Sequence, residues 1–222
     1  MKTIQDINFK DKIALIRVDF NVPLDENFKV TDATRIAAAK PTIDKILKDG
    51  GAVILMSHLG RPKGVEAKYS LKHIVDEVAD ILAVPVKFVS ECVGEVAEKA
   101  SAELKMGEVL LLENLRFHPE EEKGDEAFAK QLSKLGDVYV NDAFGTAHRA
   151  HASTTIVAKF FPENKCFGSL LAQEIISIKK VLEDSEKPVL AVLGGSKVSS
   201  KITIIENILD KEIGRASCRE RV

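Results

Sequence analysis

Short apolar runs rich in β-branched residues alternate along this chain with longer segments of helical period. That pattern specifies a parallel sheet with helices on both faces. The expected strands are Ile13–Val18, Ala52–Met56, Val86–Val89, Val109–Leu112, Val138–Val140 and Val189–Leu193. One helix is expected from a cap at Thr31 or Asp32 to Lys48, kinked at Pro41. A second starts from Ser70 and turns Leu71, Ile74, Val75, Val78, Ile81 and Leu82 inward. Others are expected over Val93–Leu104, Glu126–Leu135, Ser169–Leu182 and Ser199–Leu209. The Glu120–Glu122 run reads as a solvated loop or a first helical turn. The fold class is therefore α/β: a doubly wound parallel sheet in three Rossmann-like layers, with the start of a second, similar domain.

Ligands of such sheets bind outside the carboxyl ends of the strands. Asp19, Phe20 and Asn21 follow the first strand, and His58, Leu59, Gly60 and Arg61 follow the second. Arg116 and His118 follow the fourth, and His148, Arg149 and His151 follow the fifth. Arg35 starts the first helix on the same side of the sheet. Elsewhere the chain prefers Lys as its cation. Arg offers planar, bidentate recognition of phosphate and carboxylate, so its use here points to a pocket for a small, highly anionic ligand. Asp19 is acceptor-only and suits a ligand hydroxyl; Asn21 can donate and accept. His58 reads either as a loop cap or as a phosphate donor. Arg17, inside a strand run, reads as a structural ion pair. His118, His148 and His151 lack the spacing of a metal site, and no metal-binding residue is assigned.

Gly194-Gly195-Ser196-Lys197, with Lys201 four residues on, opens the last helix. This is either a phosphate loop or an ordinary strand-to-helix turn. It matches neither the Walker A nor the dinucleotide fingerprint. A net charge of −2 favours neither nucleic acid nor an anionic membrane as a partner. The longest apolar runs fall far short of the roughly 20 residues needed to span a bilayer. No secretory signal is legible at the N-terminus. Cys92, Cys166 and Cys218 form no metal or disulfide framework, which fits idle thiols in a reducing cytoplasm.

Six strings together resemble phosphoglycerate kinase: RVDFNVP from Arg17, DATRI from Asp32, SHLGRPKG from Ser57, LLLENLRFHPEE from Leu110, VNDAFGTAHRAHAS from Val140 and LGGSKVSSKI from Leu193. The resemblance runs to about Asp210. It implies a cytoplasmic glycolytic enzyme, expected to be a monomer. Such an enzyme moves a phosphoryl group reversibly between 1,3-bisphosphoglycerate and ADP, giving 3-phosphoglycerate and ATP. The resemblance also implies that ATP or ADP binds with Mg²⁺ in a second domain, which would supply the metal ligand. On this chain it assigns phosphoglycerate binding to Asp19, Phe20, Asn21, Arg35, His58, Leu59, Gly60, Arg61, Arg116 and Arg149. Arg35 and Lys197 would be catalytic, and Lys197 and Lys201 would bind nucleotide. Ser200 stands where the family usually has an acidic residue, and Gly168-Ser-Leu-Leu-Ala-Gln-Glu stands where a Met-Glu-Lys-Glu pattern is common.

The expected organisation is a phosphoglycerate-binding domain over 1–168, an interdomain helix over 169–185 and the start of a nucleotide-binding domain over 186–211. Three of the eight arginines crowd the last eight residues, where the apolar period also stops. Residues 212–222 resemble translated vector sequence and are expected to be non-native. Two functions compete: a phosphoglycerate kinase, or a 3-phosphoglycerate-binding module that by itself turns nothing over. A nicotinamide-dependent dehydrogenase is disfavoured, because Asp19-Phe-Asn replaces the glycine fingerprint.

Overall fold

The computed structural model describes residues 1–183 and residue 202. Its chain divides into two compact units, Met1–Glu174 and Ile175–Val222. The first holds a six-stranded, all-parallel sheet in the order β3-β4-β2-β1-β5-β6. The strands are β1 (Ile13–Arg17), β2 (Ala52–Met56), β3 (Val86–Phe88), β4 (Val109–Leu111), β5 (Val138–Asn141) and β6 (Lys165–Phe167). The helices are α1 (Thr34–Lys48), α2 (Val75–Leu82), α3 (Glu95–Ala102), α4 (Pro119–Lys123), α5 (Glu126–Ser133) and α6 (Ser169–Glu183). The α/β expectation holds. The expected strand Val189–Leu193 and helix Ser199–Leu209 lie outside the described residues, and β6 is a strand the sequence pattern did not suggest.

Side chains alternate across a strand, so neighbouring residues feed opposite cores. Ala14, Ile16, Val53, Leu55, Val109, Leu111, Val138 and Val140 pack with Ile36, Ile43 and Ile46 of α1 and Val78 of α2. Leu15, Ile54, Met56, Leu110 and Tyr139 pack on the other face with Ala97 of α3 and Phe128, Ala129 and Leu132 of α5. Both faces are covered, so the inner strands are buried at nearly every position. Truncating a fully buried residue such as Ile54 to Ala would cost about 2–5 kcal/mol.

Local chemistry sets the helix ends. Asp32 Oδ1 accepts from the Thr34 backbone N–H and hydroxyl, two residues before the helix expected from that cap. Helix α1 continues on both sides of Pro41. Ser70 does act as a cap, accepting from Lys72 N–H, but a 3₁₀ turn over Leu71–Ile74 comes before α2. Asp125 caps α5 through Phe128 N–H. The first turn of α6 is anchored to the sheet: Thr42 Oγ1 accepts from Ser169 N–H, and Asp142 Oδ1 accepts from Leu171 N–H. Among the described residues Asp142 Oδ2 has no hydrogen-bond partner, and burial raises the Asp142 pKa.

Candidate functional site

The strand ends meet at one edge of the sheet, around a cavity of about 190 Å³ lined by Asp19, Asn21, Arg35, His58, Arg61, Arg116, Gly145, Thr146 and Arg149. Four arginines, one histidine and one carboxylate converge there from the segments after β1, β2, β4 and β5 and from the start of α1. The volume is below the roughly 300–1,000 Å³ typical of pockets for larger ligands. Cavities of 370 and 580 Å³ lie elsewhere, the first mainly apolar beside Tyr139 and Phe167, the second beside Lys10 and Lys45. Neither gathers arginines.

A buried polar layer supports this pocket. Arg17 is almost wholly buried, with relative exposure of 1%. Its guanidinium donates to Ser153 Oγ at 2.9 Å and to the Val18 carbonyl, and it faces His58 Nδ1 at 3.1 Å. Ser153 passes the contact on: its hydroxyl donates to Glu121 Oε1 at 2.5 Å, and its N–H donates to Glu121 Oε2 at 2.9 Å. The countercharge of Arg17 is thus Glu121, reached through one hydroxyl rather than by direct contact. The Glu120–Glu122 run does form the first turn of a helix, α4, but Glu121 is 1% exposed and points inward. His151 Nδ1 lies 3.8 Å from the same carboxylate.

A second buried hub sets the loops. Asn114 Nδ2 donates to the carbonyls of Leu59 and Tyr69 at 2.8 and 2.9 Å, and its Oδ1 accepts from Arg116 N–H. Glu113 ties the turn at Ser70 and Leu71 to the same strand end. Asn21 Oδ1 accepts from Gly60 N–H at 2.8 Å, and Arg116 Nη1 donates to the Gly60 carbonyl at 2.7 Å. Gly60 has φ +63, and a Cβ there would lie 2.4 Å from the Tyr69 ring. Only glycine fits that turn.

Electrostatics follow from this packing. Burial, then the charges of Arg17, Arg116 and Arg35, push the His58 pKa down to about 2. His58 is therefore a neutral ring at physiological pH. Burial also lowers Arg116, with Glu122 opposing at 3.3 Å. Arg35 pairs with Asp19 at 2.9 Å. His118 packs against Phe128, with ring centroids 5.0 Å apart.

The expected site residues fall into four groups. Asp19, Asn21, Arg35, His58, Arg61, Arg116 and Arg149 line the cavity. Leu59 and Gly60 line an adjoining cavity of about 260 Å³ with Tyr69 and Phe28. Phe20 is a fully buried core side chain whose N–H donates to Ser57 Oγ. Lys197 and Lys201 lie outside the described residues. Gly145 and Thr146 also line the cavity, and their position just after a strand was the available signal. Asn114 carried the same signal, three residues after β4, but Ser153 and Glu121 did not, because their roles come from burial. Among the described residues no cluster of three or more His, Cys, Asp or Glu could hold a metal ion, and no helix is long and apolar enough to cross a membrane.

Comparison with known proteins agrees with the geometry. The sequence profile of the family described as phosphoglycerate kinase matches residues 4–213. A phosphoglycerate kinase of Moorella thermoacetica is 55% identical over 210 residues, 94% of this chain and 53% of the relative. That of Porphyromonas gingivalis is 50% identical over 94% of this chain and 56% of the relative. The cytosolic enzyme of Nicotiana tabacum is 52% identical over 94% of this chain and 52% of its own length. The solved phosphoglycerate kinase of Pyrococcus horikoshii superposes with a TM-score of 0.85 at 33% identity, covering 95% of this chain and 53% of that one. The Coxiella burnetii structure gives 0.83 at 37%, covering 95% and 52%. The chain spans about half the length of the curated relatives it matches. Profile, relatives and fold agree that the chain belongs to the phosphoglycerate kinase family.

Proposed function

We propose that this pocket takes 3-phosphoglycerate, and that the protein moves a phosphoryl group reversibly between 1,3-bisphosphoglycerate and ADP, giving 3-phosphoglycerate and ATP. The carrying observation is the convergence of four arginines and a neutral histidine beside the acceptors Asp19 and Asn21. His58, Arg61, Arg116 and Arg149 clamp the 3-phosphate, with Leu59 and Gly60 shaping the loop between them. Asp19 and Asn21 take the hydroxyl and carboxyl end, and Phe20 fixes the backbone that carries both. Arg35 and Lys197 stabilise charge on the transferred phosphoryl group, and Lys197 and Lys201 hold nucleotide phosphates. ATP or ADP would bind with Mg²⁺, which would neutralise phosphate charge. An acyl phosphate is an activated donor, so positioning and electrostatic stabilisation suffice. The family points to a cytoplasmic, monomeric, glycolytic enzyme.

Calorimetric titration of the chain with 3-phosphoglycerate tests the site. We expect saturable binding, weakened at least about tenfold by Arg116→Gln through loss of charge-assisted hydrogen bonds. Absence of binding to the wild-type chain would overturn the assignment. The chain's span of half its relatives favours a second reading for these 222 residues assayed alone, namely binding without turnover. ATP formation by them from 1,3-bisphosphoglycerate and ADP would sink that reading.

A further inference from the structure

Arg17 and His58 meet in a way that assigns a proton. A guanidinium carries donors only, so whatever faces it at hydrogen-bond distance must accept. His58 Nδ1 lies 3.1 Å from Arg17 Nη2 and is therefore the unprotonated nitrogen. The ring lines the anion pocket, and with Nδ1 turned toward Arg17, Nε2 is the nitrogen left to serve it. The guanidinium cannot turn away, because its other contacts, Ser153 Oγ and the Val18 carbonyl, fix it in a site with 1% exposure.

We propose that Arg17 is a positioning residue: it holds His58 as the neutral, Nε2-protonated tautomer, so that the ring presents one uncharged N–H to an anionic oxygen of the ligand. The tautomer rests on the Arg17 contact, and the identity of the ligand rests on the function proposed above. The cationic groups packed around the ring support the neutral form. Arg17 comes from β1, Arg35 from α1, Arg116 from the turn after β4, and His151 from the segment before Ala152–Ile156; each opposes a second proton. Asp19, the carboxylate that lines the same cavity, is paired with Arg35, and the buried Glu121 is engaged by Ser153 and lies beside His151. Donation then runs outward from Arg17 along two arms, through His58 to the anion and through the Ser153 hydroxyl to Glu121. The arginines supply charge, and His58 supplies a directed donor whose strength does not vary across the physiological pH range.

Long-range proton–nitrogen correlation spectra of the ¹⁵N-histidine-labelled chain test this, with His58 assigned by its absence in His58→Gln. Without ligand, the expected spectrum shows an acceptor-type Nδ1 and a protonated Nε2, unchanged from pH 7 to about pH 5, well below the ordinary histidine value. A protonated Nδ1, or a ring carrying two protons, overturns the inference. In Arg17→Met the ring should show mixed tautomers and titrate closer to its ordinary value, while Arg17→Lys should restore the single tautomer. A spectrum and titration unchanged in Arg17→Met also overturn it. A second pair of variants is independent of whether the Arg17 variants fold. The amide nitrogen of Gln falls near the position of Nε2, and that of Asn near Nδ1. Both changes should weaken 3-phosphoglycerate, His58→Asn about tenfold more than His58→Gln, because only Gln keeps a donor near the place of Nε2. Equal losses overturn the inference. Inorganic phosphate serves as a second probe. If it binds with the same Gln-over-Asn preference while 3-phosphoglycerate does not bind, the tautomer assignment stands and the substrate assignment falls.

Discussion

Arg35 Nη1 lies 2.9 Å from Asp19 Oδ2, so the pocket's most exposed paired cation is held by its own carboxylate. The pair is too solvated to matter much for stability. Its consequence is for binding, because Asp19 repels an anion while offering an acceptor to a hydroxyl. Asp19→Asn should tighten binding of inorganic phosphate by about fivefold, equivalent to roughly 1 kcal/mol of relieved repulsion at this exposure. The same change should weaken 3-phosphoglycerate, which loses its hydroxyl acceptor. Parallel calorimetric titrations would show the two ligands moving in opposite directions; movement in the same direction would refute the division of roles.

Gly60 and Gly64 offer an internal comparison four residues apart. A Cβ at Gly60 would collide with the Tyr69 ring at a backbone φ of +63, whereas nothing lies within 4 Å of a Cβ at Gly64. Gly60→Ala should cost about 1–3 kcal/mol in denaturant unfolding and displace the carbonyl that Arg116 grips. Gly64→Ala should stay within about 0.5 kcal/mol of wild type.

Much of the fold was legible because continuous apolar, β-branched runs and capped helices are local signals. Five of the described strands and the main helices fall within a few residues of their expected bounds. The edge strand Lys165–Phe167 was not legible: it holds no β-branched residue, whereas β3, of the same length, carries Val86 and is followed by Val89. The pocket's rim could be read from arginines placed after strands. Its floor could not. Glu121 looks like its solvated neighbours Glu120 and Glu122, and only the fold shows that it alone turns inward toward Ser153. Position inside a strand predicts an ion pair for Arg17; the structure instead relays its charge through a hydroxyl 136 residues away.

Two buried groups should give opposite pH dependences. His58 falls to about 2 in the folded chain, against 6.5 for an ordinary histidine. Between those values the unfolded chain binds the extra proton, so this contribution to stability is complete above pH 6.5 and is lost as pH falls. His58→Gln should flatten the acid side of the stability profile by up to about 1.4 kcal/mol per pH unit.

Burial raises the Asp142 pKa above 3.8. Its contribution is therefore present below 3.8 and is lost as pH rises through the folded value. The stability of Asp142→Asn relative to wild type should increase as pH is raised from about 3 to 7. Chemical denaturation across that range checks both signs.

The Arg17–Ser153–Glu121 chain makes the most demanding energetic prediction. Removing one member of a buried charge pair leaves the other uncompensated, which costs about 3–5 kcal/mol; replacing both by apolar residues of similar size is often near neutral. Glu121→Gln should therefore destabilise the chain by that amount, although glutamine keeps the shape and can still accept from Ser153. Arg17→Met with Glu121→Leu should recover most of the loss. Ser153→Ala should fall between, because it removes the hydroxyl that links the two charges but leaves both charges in place. A double-mutant cycle from unfolding titrations measures the coupling. If the loss in Arg17→Met with Glu121→Leu equalled the sum of the two single losses, the two charges would be independent. Neutralising Glu121 would then leave the orientation of Arg17, and with it the His58 proton, undisturbed.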